Sequence, residues 1–365
     1  MPSLPDACMP PAPYLSVVTY VRNDGYTADY EKRVIRAARC LVHQLTAVGL
    51  ESELILVEWN PRADRPLVLD EMKEFTSDYV TVRGYVVPAK YHNRYRGSTE
   101  GGLHIDAPNV GLRRARGKFL LPKASDTFLS KALVDVLAAR TLEENGVYRS
   151  DRFDVELDMN DYDASDDGTF LMRLESLEGR RCSRLQQPEH WQIRDLHTNA
   201  CGDFTLMSQR LWHKVRGYPA DRTTLSLDLD SLLLHLAVAC GGEELCLPEA
   251  CRVIKPVHSR LHSLRTSQVW KPWQRKLDQY LEREYGHLWA HRARMLLNYP
   301  RRQVRHIPSV LGPSAERNLA WPAYRWAHGA KPRLTQGEDW GLAKESLPER
   351  ILCRARWDSA ARAAA

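Results

Sequence analysis

The sequence predicts an α/β protein: a mostly parallel sheet flanked by helices, followed by a helical C-terminal extension. Three observations predict it. The apolar runs "YLSVVT", "SELILVEW" and "DYVTVRGYVV" have the length and near-continuous hydrophobicity of strands covered on both faces. Between the first two, Val34, Ile35, Ala38, Leu41, Val42 and Leu45 recur at helical spacing. At 365 residues the chain can hold one large α/β domain and a smaller appendage, since domains usually run to roughly 100–250 residues.

Taken in order, residues 1–13 form a Pro-rich tail, and strand one starts at Tyr14. The loop "YVRNDGYTADY" leads into the first helix, and strands two and three follow. "HNRYRGSTEGG" is a polar, Gly-rich loop, after which "DAPNVGLRRARG" resumes a helix that stops at Gly117. "KFLLP" is a central strand with Asp126 just beyond its carboxyl end, where open α/β sheets bind their ligands. "SKALVDVLAARTLEEN" predicts a helix, "GVYRSDRFDV" a strand, "GDFTLMS" another strand and "QRLWHKVRG" a helix. Past the turn "GYPADRTT", "LDLDSLLLHLAVACGG" is an apolar helix with two carboxylates at its start. The domain is expected to span 14–265. Residues 266–365 form the extension, basic, Trp-rich and helical to about 299 and irregular over 300–345.

Composition excludes more than it selects. A net charge of +6 suits an anionic ligand or an acidic surface and is too small to imply nucleic acid. The 8 cysteines form no CxxC pair, as expected of reduced thiols in a cytoplasmic protein. The N-terminus lacks a basic n-region, and no run of 18 apolar residues follows. The acidic loop "DMNDYDASDDG" invites a calcium site. Counting from Asp158, however, Asp163 and Thr169 stand where the EF-hand loop needs Gly and Glu. GxGxxG after strand one, GxxxxGK[ST] and GxSxG are all missing, which weakens the oxidoreductase, P-loop and esterase readings.

Short polar stretches at strand ends remain: Thr19, Arg22, Asn23 and Asp24 after strand one, Glu58 with Asn60 after strand two, and Ser125 and Asp126 after the central strand. The order "SVVTYVRND", "LVEWN", "PNVGLRRARGKFLLPKASD", "GDFTLMSQRLWHKVRGYP", "LDLDSLLLHLAVACGG" resembles the inverting, nucleotide-sugar-dependent glycosyltransferases of family 2. The resemblance covers roughly residues 14–262 and implies their GT-A fold, a Rossmann-like arrangement. Its most specific piece is Asn109-x-Gly111 with Ala115-Arg116-Gly117 and an apolar strand ending in aspartate, similar to the stretch before the family's DxD motif.

The resemblance implies a nucleotide-sugar donor, a UDP-sugar first among them, and a glycan or glycoconjugate acceptor, as in polysaccharide or cell-envelope assembly. It further implies a cytoplasmic enzyme with peripheral membrane association and no nucleic-acid partner. A divalent cation, Mn²⁺ or Mg²⁺, is expected at the leaving diphosphate, because hard oxygen ligands suit both. Asp126 matches the last aspartate of DxD, whereas Ala124 replaces the first. His258 is similar in placement to a histidine that completes the metal shell in some members, and equally fits a packed or surface histidine. Thr19 and its neighbours would lie beside the nucleotide. Glu58 would touch base or ribose, or else cap the following turn. Arg22 would pair with a phosphate or close a surface salt bridge. Asn109 would hold the loop before Asp126 or reach the donor, and Arg116 would reach the donor or stay on a solvated helix face.

Inversion needs a general base for the acceptor hydroxyl. Asp230 matches the family's base, with Leu229 in place of a preceding glutamate and Asp228 the second candidate. The alternative is that both carboxylates cap a helix N-terminus. Gly202, Asp203 and Trp212 would form the acceptor side, Trp212 stacking on a sugar or sitting in the core. Two other classes stay open: a GT-A-like binding module without chemistry, and a membrane-surface or nucleic-acid binder using Trp270, Trp273 and Trp289 among basic residues.

Overall fold

The computed structural model describes residues 12–25, 29–72, 75–94, 103–163, 166–182, 196–197, 200–219, 229–257, 329–332 and 334–358. Asp228, His258 and the Trp-rich stretch with Trp270, Trp273 and Trp289 lie outside them. At the centre is β1 (Leu15–Val21), paired in parallel with β2 (Ser52–Trp59) on one side and β4 (Phe119–Pro122) on the other. β3 (Val80–Val87) continues the parallel set beyond β2. Three of these strands are the apolar runs that predict them. Their side chains alternate between two cores, Val17, Leu54 and Leu56 facing one layer and Val18, Ile55 and Val57 the other.

Helix α1 (Tyr30–Ala47) covers the first layer with Val34, Ala38, Leu41, Val42 and Leu45, joined by the short α2 (Val68–Glu71). The short α3 (Ala89–Arg94) follows β3. Helix α4 (Leu103–Arg114) covers the second layer with Ile105, Val110 and Leu112. A Cβ on Gly111 would fall inside the van der Waals radius of Val18 Cγ1, so glycine is what lets α4 lie this close to β1 and β2.

Beyond β4 the chain departs from simple alternation. After β5 (Phe128–Leu129) and α5 (Lys131–Ala138), the run expected as one strand is two, β6 (Gly146–Arg149) and β7 (Asp151–Val155), in different sheets. Ser150 sits at the division, its hydroxyl bonded to the Cys251 carbonyl at 2.6 Å. The acidic loop is a 3-10 turn over Met159–Tyr162 followed by α6 (Asp167–Ser176), whose N-terminus Asp166 caps by accepting from the Thr169 amide. β8 (Gly179–Cys182), β9 (Leu206–Ser208), α7 (Gln209–Val215), α8 (Leu229–Ala239), β10 (Glu243–Cys246) and β11 (Arg252–Pro256) follow.

Residues assigned by sequence to a helical and irregular extension supply β12 (Glu349–Cys353), antiparallel to β3. Among the described residues the large sheet runs β10, β6, β9, β4, β1, β2, β3, β12, and a small sheet runs β5, β11, β7, β8. The large sheet is mostly parallel at its centre, with β9 and β12 antiparallel to their neighbours. A third apolar cluster, including Phe128, Val155, Phe170 and Ile254, joins the small sheet and α6 to Ala37 and Cys40 of α1. Among the described residues no helix is long and apolar enough to cross a membrane.

Gly111→Ala tests the close approach of α4. An unpacked helical glycine would gain up to about 1 kcal/mol on this change. Here the stiff, β-branched Val18 cannot yield. Denaturant titration should show a loss of about 1–3 kcal/mol, the usual cost of overpacking.

Candidate functional site

The parallel register of β1, β2 and β4 brings three strand ends and the start of α1 to one face of the sheet. The turn after β4 is its centre. Lys123 donates its backbone amide to the Val18 carbonyl (3.0 Å) and its ammonium to the Ala124 carbonyl (2.9 Å). Thr127 donates its hydroxyl to the same Ala124 oxygen (2.9 Å), which tightens the turn that presents Ser125 and Asp126. Both are buried. Ser125 Oγ lies 3.0 Å from the Tyr30 hydroxyl, and Asp126 Oδ2 lies 3.7 Å from Arg33 Nε. Tyr30 and Arg33, three apart on the first turn of α1, face the turn together. Thr19, near the end of β1, closes the group by donating to the Lys123 carbonyl (3.1 Å).

A second charged group sits beside it. Asp203, in the turn before β9, pairs with Arg152 of β7 (2.6 Å) and Lys255 of β11 (3.0 Å). Arg152 also meets Asp154, at 2.8 Å. Burial opposes ionisation of Asp203, yet Lys255 and Arg152 outweigh it and hold the carboxyl at about 2. Burial pulls the Lys123 amine down to about 8, while Asp126 and Asp203 pull the other way. Burial would lower Lys255 too, but Asp203 and Asp126 outweigh it and raise that amine. Each lysine thus lies in the field of both carboxylates, which makes the two groups one.

Asp230 joins this assembly through Gly202. It stands in the first turn of α8, half-buried, and a Cβ on Gly202 would lie 2.8 Å from its Oδ2. The fully buried Tyr218 hydroxyl, raised chiefly by burial, feels Asp230 and Asp203 as well. Asp126, Asp203, Gly202 and Asp230 therefore share one face with Thr19 and Ser125.

Other expected residues serve the scaffold. Arg22 pairs with Asp24. Asn23 ties the exit of β1 to the loop after β2, accepting from the Arg62 amide (2.7 Å) and donating to the Pro66 carbonyl (3.1 Å). Glu58 is wholly buried and caps α2, its oxygens taking the Val68 (2.9 Å) and Leu69 (3.1 Å) amides; burial raises its carboxyl despite them. Asn109 clamps Tyr218, donating to its carbonyl (3.1 Å) and accepting from its amide (2.7 Å). Two placements correct the expectations. Arg116 lies at the opposite, amino-terminal end of β4, paired with Asp358 (3.1 Å) and Glu349 (3.2 Å). Trp212 has no exposed surface, and its indole donates to the Leu120 carbonyl at 3.0 Å, so no ring face is open to a sugar. Asp228 and His258 lie outside the described residues.

The donor chemistry of this face does not suit a divalent cation. Among the described residues no three His, Cys, Asp or Glu stand together. More decisively, Asp126 already faces Arg33 and lies in the field of Lys123 and Lys255, while Asp203 is taken by two cations. Lys123, Lys255, Arg33 and Arg152 are the residues that sequence reasoning missed. For Lys255 and Arg152 the one signal was a charged residue inside a strand run, as in "RVIKPV"; Arg33 on α1 and Lys123 after β4 carried none.

Asp203 gives this face a pH signature. Its folded-state value lies below the roughly 3.9 of an unfolded aspartate, so its contribution is fully present above that value and is lost as pH falls through about 2. The linked free energy is about 2 kcal/mol. Asp203→Asn should destabilise the fold by about 3–5 kcal/mol near neutrality by leaving the cations underpaired. In denaturation series the gap between wild type and variant should narrow by about 2 kcal/mol between about pH 5 and about pH 2.

No family model matches the chain, and no curated protein matches it. Among solved structures it is similar to a crystal structure of S. aureus TarS (TM-score 0.44, 12% identity), over 86% of this chain and 52% of that one. It thus spans about half the length of that neighbour. Crystal structures of S. aureus TarS 1–349 in complex with UDP (TM-score 0.43, 13% identity) and with UDP-GlcNAc (TM-score 0.44, 12% identity) are each similar over 86% of both chains.

Proposed function

We propose that the chain is a GT-A glycosyltransferase that moves a sugar from a nucleotide-sugar donor to a glycan or glycoconjugate hydroxyl with inversion. The observation that carries this reading is the shared face of Asp126, the lysine pair and Asp230 at the carboxyl ends of the parallel strands. A ligand at the crevice of an open parallel sheet sits there. In the proposed reaction the acceptor oxygen attacks the anomeric carbon from the side opposite the diphosphate, and Asp230 takes the hydroxyl proton. The anomeric carbon–oxygen bond breaks, and its electron pair leaves on the diphosphate. Asp230 suits the role of base because it is half-buried, so it can meet an acceptor, and because Gly202 leaves space against its Oδ2. A UDP-sugar is the first donor to test, since the family resemblance implies it.

The test pairs binding with turnover. In a thermal-shift panel of UDP-, GDP-, CMP- and dTDP-sugars, one nucleotude class should raise Tm selectively. Asp230→Asn should keep that shift while lowering transfer by about 10²–10⁴-fold, the range for loss of a general base. Gly202→Ala, which crowds Asp230 Oδ2, should likewise lower kcat and leave donor affinity intact. Failure of every nucleotide sugar to stabilise the protein would overturn the reading. Stabilisation without turnover by wild type, across acceptors, would leave a binding module.

A further inference from the structure

Where a family 2 enzyme would place a metal, this chain places cations. Lys123 occupies the exit of β4, three residues before Asp126, and is almost completely buried, with its ammonium held to the turn by the Ala124 carbonyl. Lys255 reaches the same face from β11 and is anchored by Asp203 at 3.0 Å. Arg33 flanks Asp126 from α1, and Arg152 flanks Asp203 from β7. With Arg180, which meets Asp154 at 3.1 Å, five cations thus face Asp126, Asp203, Asp154 and Asp230, an excess of one positive charge. Burying unbalanced charge costs several kcal/mol per ion unless something compensates it. An anion bound on this face would compensate it.

Geometry also separates the roles within the group. Arg152 is committed, bridging Asp203 and Asp154. The ammonium groups have three donors each, and a carbonyl or one carboxylate oxygen uses only part of that capacity. A second cation beside Asp126 would meet like charge from Lys123, Lys255 and Arg33. A diphosphate would meet attraction from all three.

We propose that Lys123 and Lys255 together neutralise the leaving diphosphate in place of a divalent cation, so that donor binding and sugar transfer proceed without metal. This rests on the glycosyltransferase reading above. As the anomeric carbon–oxygen bond breaks, the electron pair settles on the terminal diphosphate oxygen, which accepts hydrogen bonds from the two ammonium groups. The acceptor's proton goes to Asp230, so neither lysine loses one. Asp126 serves as a positioning residue, holding the lysines at this face through its charge.

The experiment measures binding of UDP, GDP, CDP and dTDP to the full chain by calorimetry, in excess EDTA and then with MgCl₂ or MnCl₂. It is repeated with Lys123→Met, Lys255→Met and the charge-preserving Lys255→Arg. The expected result is that the diphosphate that binds does so equally well in EDTA. Each Met variant should weaken it at least about tenfold, since it removes a charge-assisted hydrogen bond to the diphosphate. Lys255→Arg should retain most of the affinity. Transfer in EDTA should fall about 10²–10³-fold in the Met variants, as when one donor to a developing oxyanion is removed. Binding that requires Mg²⁺ or Mn²⁺ would overturn this inference and leave the glycosyltransferase reading standing. EDTA-resistant binding indifferent to both Met variants would overturn the assignment to the lysines. If no diphosphate binds under any condition, both fall. Should Lys255→Met unfold because Asp203 loses a partner, Lys123→Met carries the test, since it removes a buried charge without orphaning a carboxylate's direct ion pair.

Discussion

One buried carboxylate holds the amino ends of the central strands together. Glu53, near the start of β2, has no exposed surface. One oxygen accepts from Ser16 of β1 and from the Arg116 amide at the entry to β4; the other accepts from Arg83 of β3. Ser16 passes the tie on by accepting from the Gly117 amide. Four consecutive parallel strands are thus pinned at one level by a single side chain. Removing one partner of such a buried pair typically costs about 3–5 kcal/mol, because the charge left behind has no water to turn to. A register slip in any strand would break the same contacts. The alignment that brings Thr19, Glu58 and Asp126 to the opposite end therefore starts here.

The two ends of the sheet use charge differently. At the amino end, Arg83 is enclosed by Glu53, Glu349 and the Arg114 carbonyl, and every group has its complement within the protein. At the carboxyl end the cations outnumber the carboxylates. Closed charge networks of the first kind fix a structure, while incomplete ones are where ligands bind. Aligned strands with a saturated network at one end and a cationic one at the other give the sheet a charge polarity along its strands.

Much of this was legible in the sequence. The runs that became β1, β2 and β3 are uniformly apolar because both faces are covered, and α1 shows its period because only one face is. Asp126 stands at a strand exit, as its position after "KFLLP" predicts. Other features were hidden for physical reasons. "GVYRSDRFDV" has Ser150 and Asp151 at the division but no Gly or Pro there, a turn signal too weak to split an otherwise strand-like run. Asn109, expected to hold the loop before Asp126 or reach the donor, clamps Tyr218 instead, and Gly111 of the same motif makes room for Val18. Arg116 precedes "KFLLP" and Asp126 follows it, so a four-residue strand puts them at opposite ends; it was the motif resemblance alone that suggested a donor contact for Arg116. Lys123 and Lys255 look like surface lysines until the partners that bury them, 80 and 52 residues away in the case of Asp203, come into place.

The edge of the sheet bears on how the protein is made. β3 is covered by β12, and Arg83 waits for Glu349 across 266 residues of chain. Ribosomes add roughly 5–20 residues per second, so an emerging chain carries this hydrogen-bonding edge unpaired for tens of seconds. Its apolar side chains and open backbone donors are then a template for any other strand in reach. Such a chain calls for a chaperone at the β3 edge during synthesis, and its folding yield is expected to depend on translation speed more than its finished stability suggests.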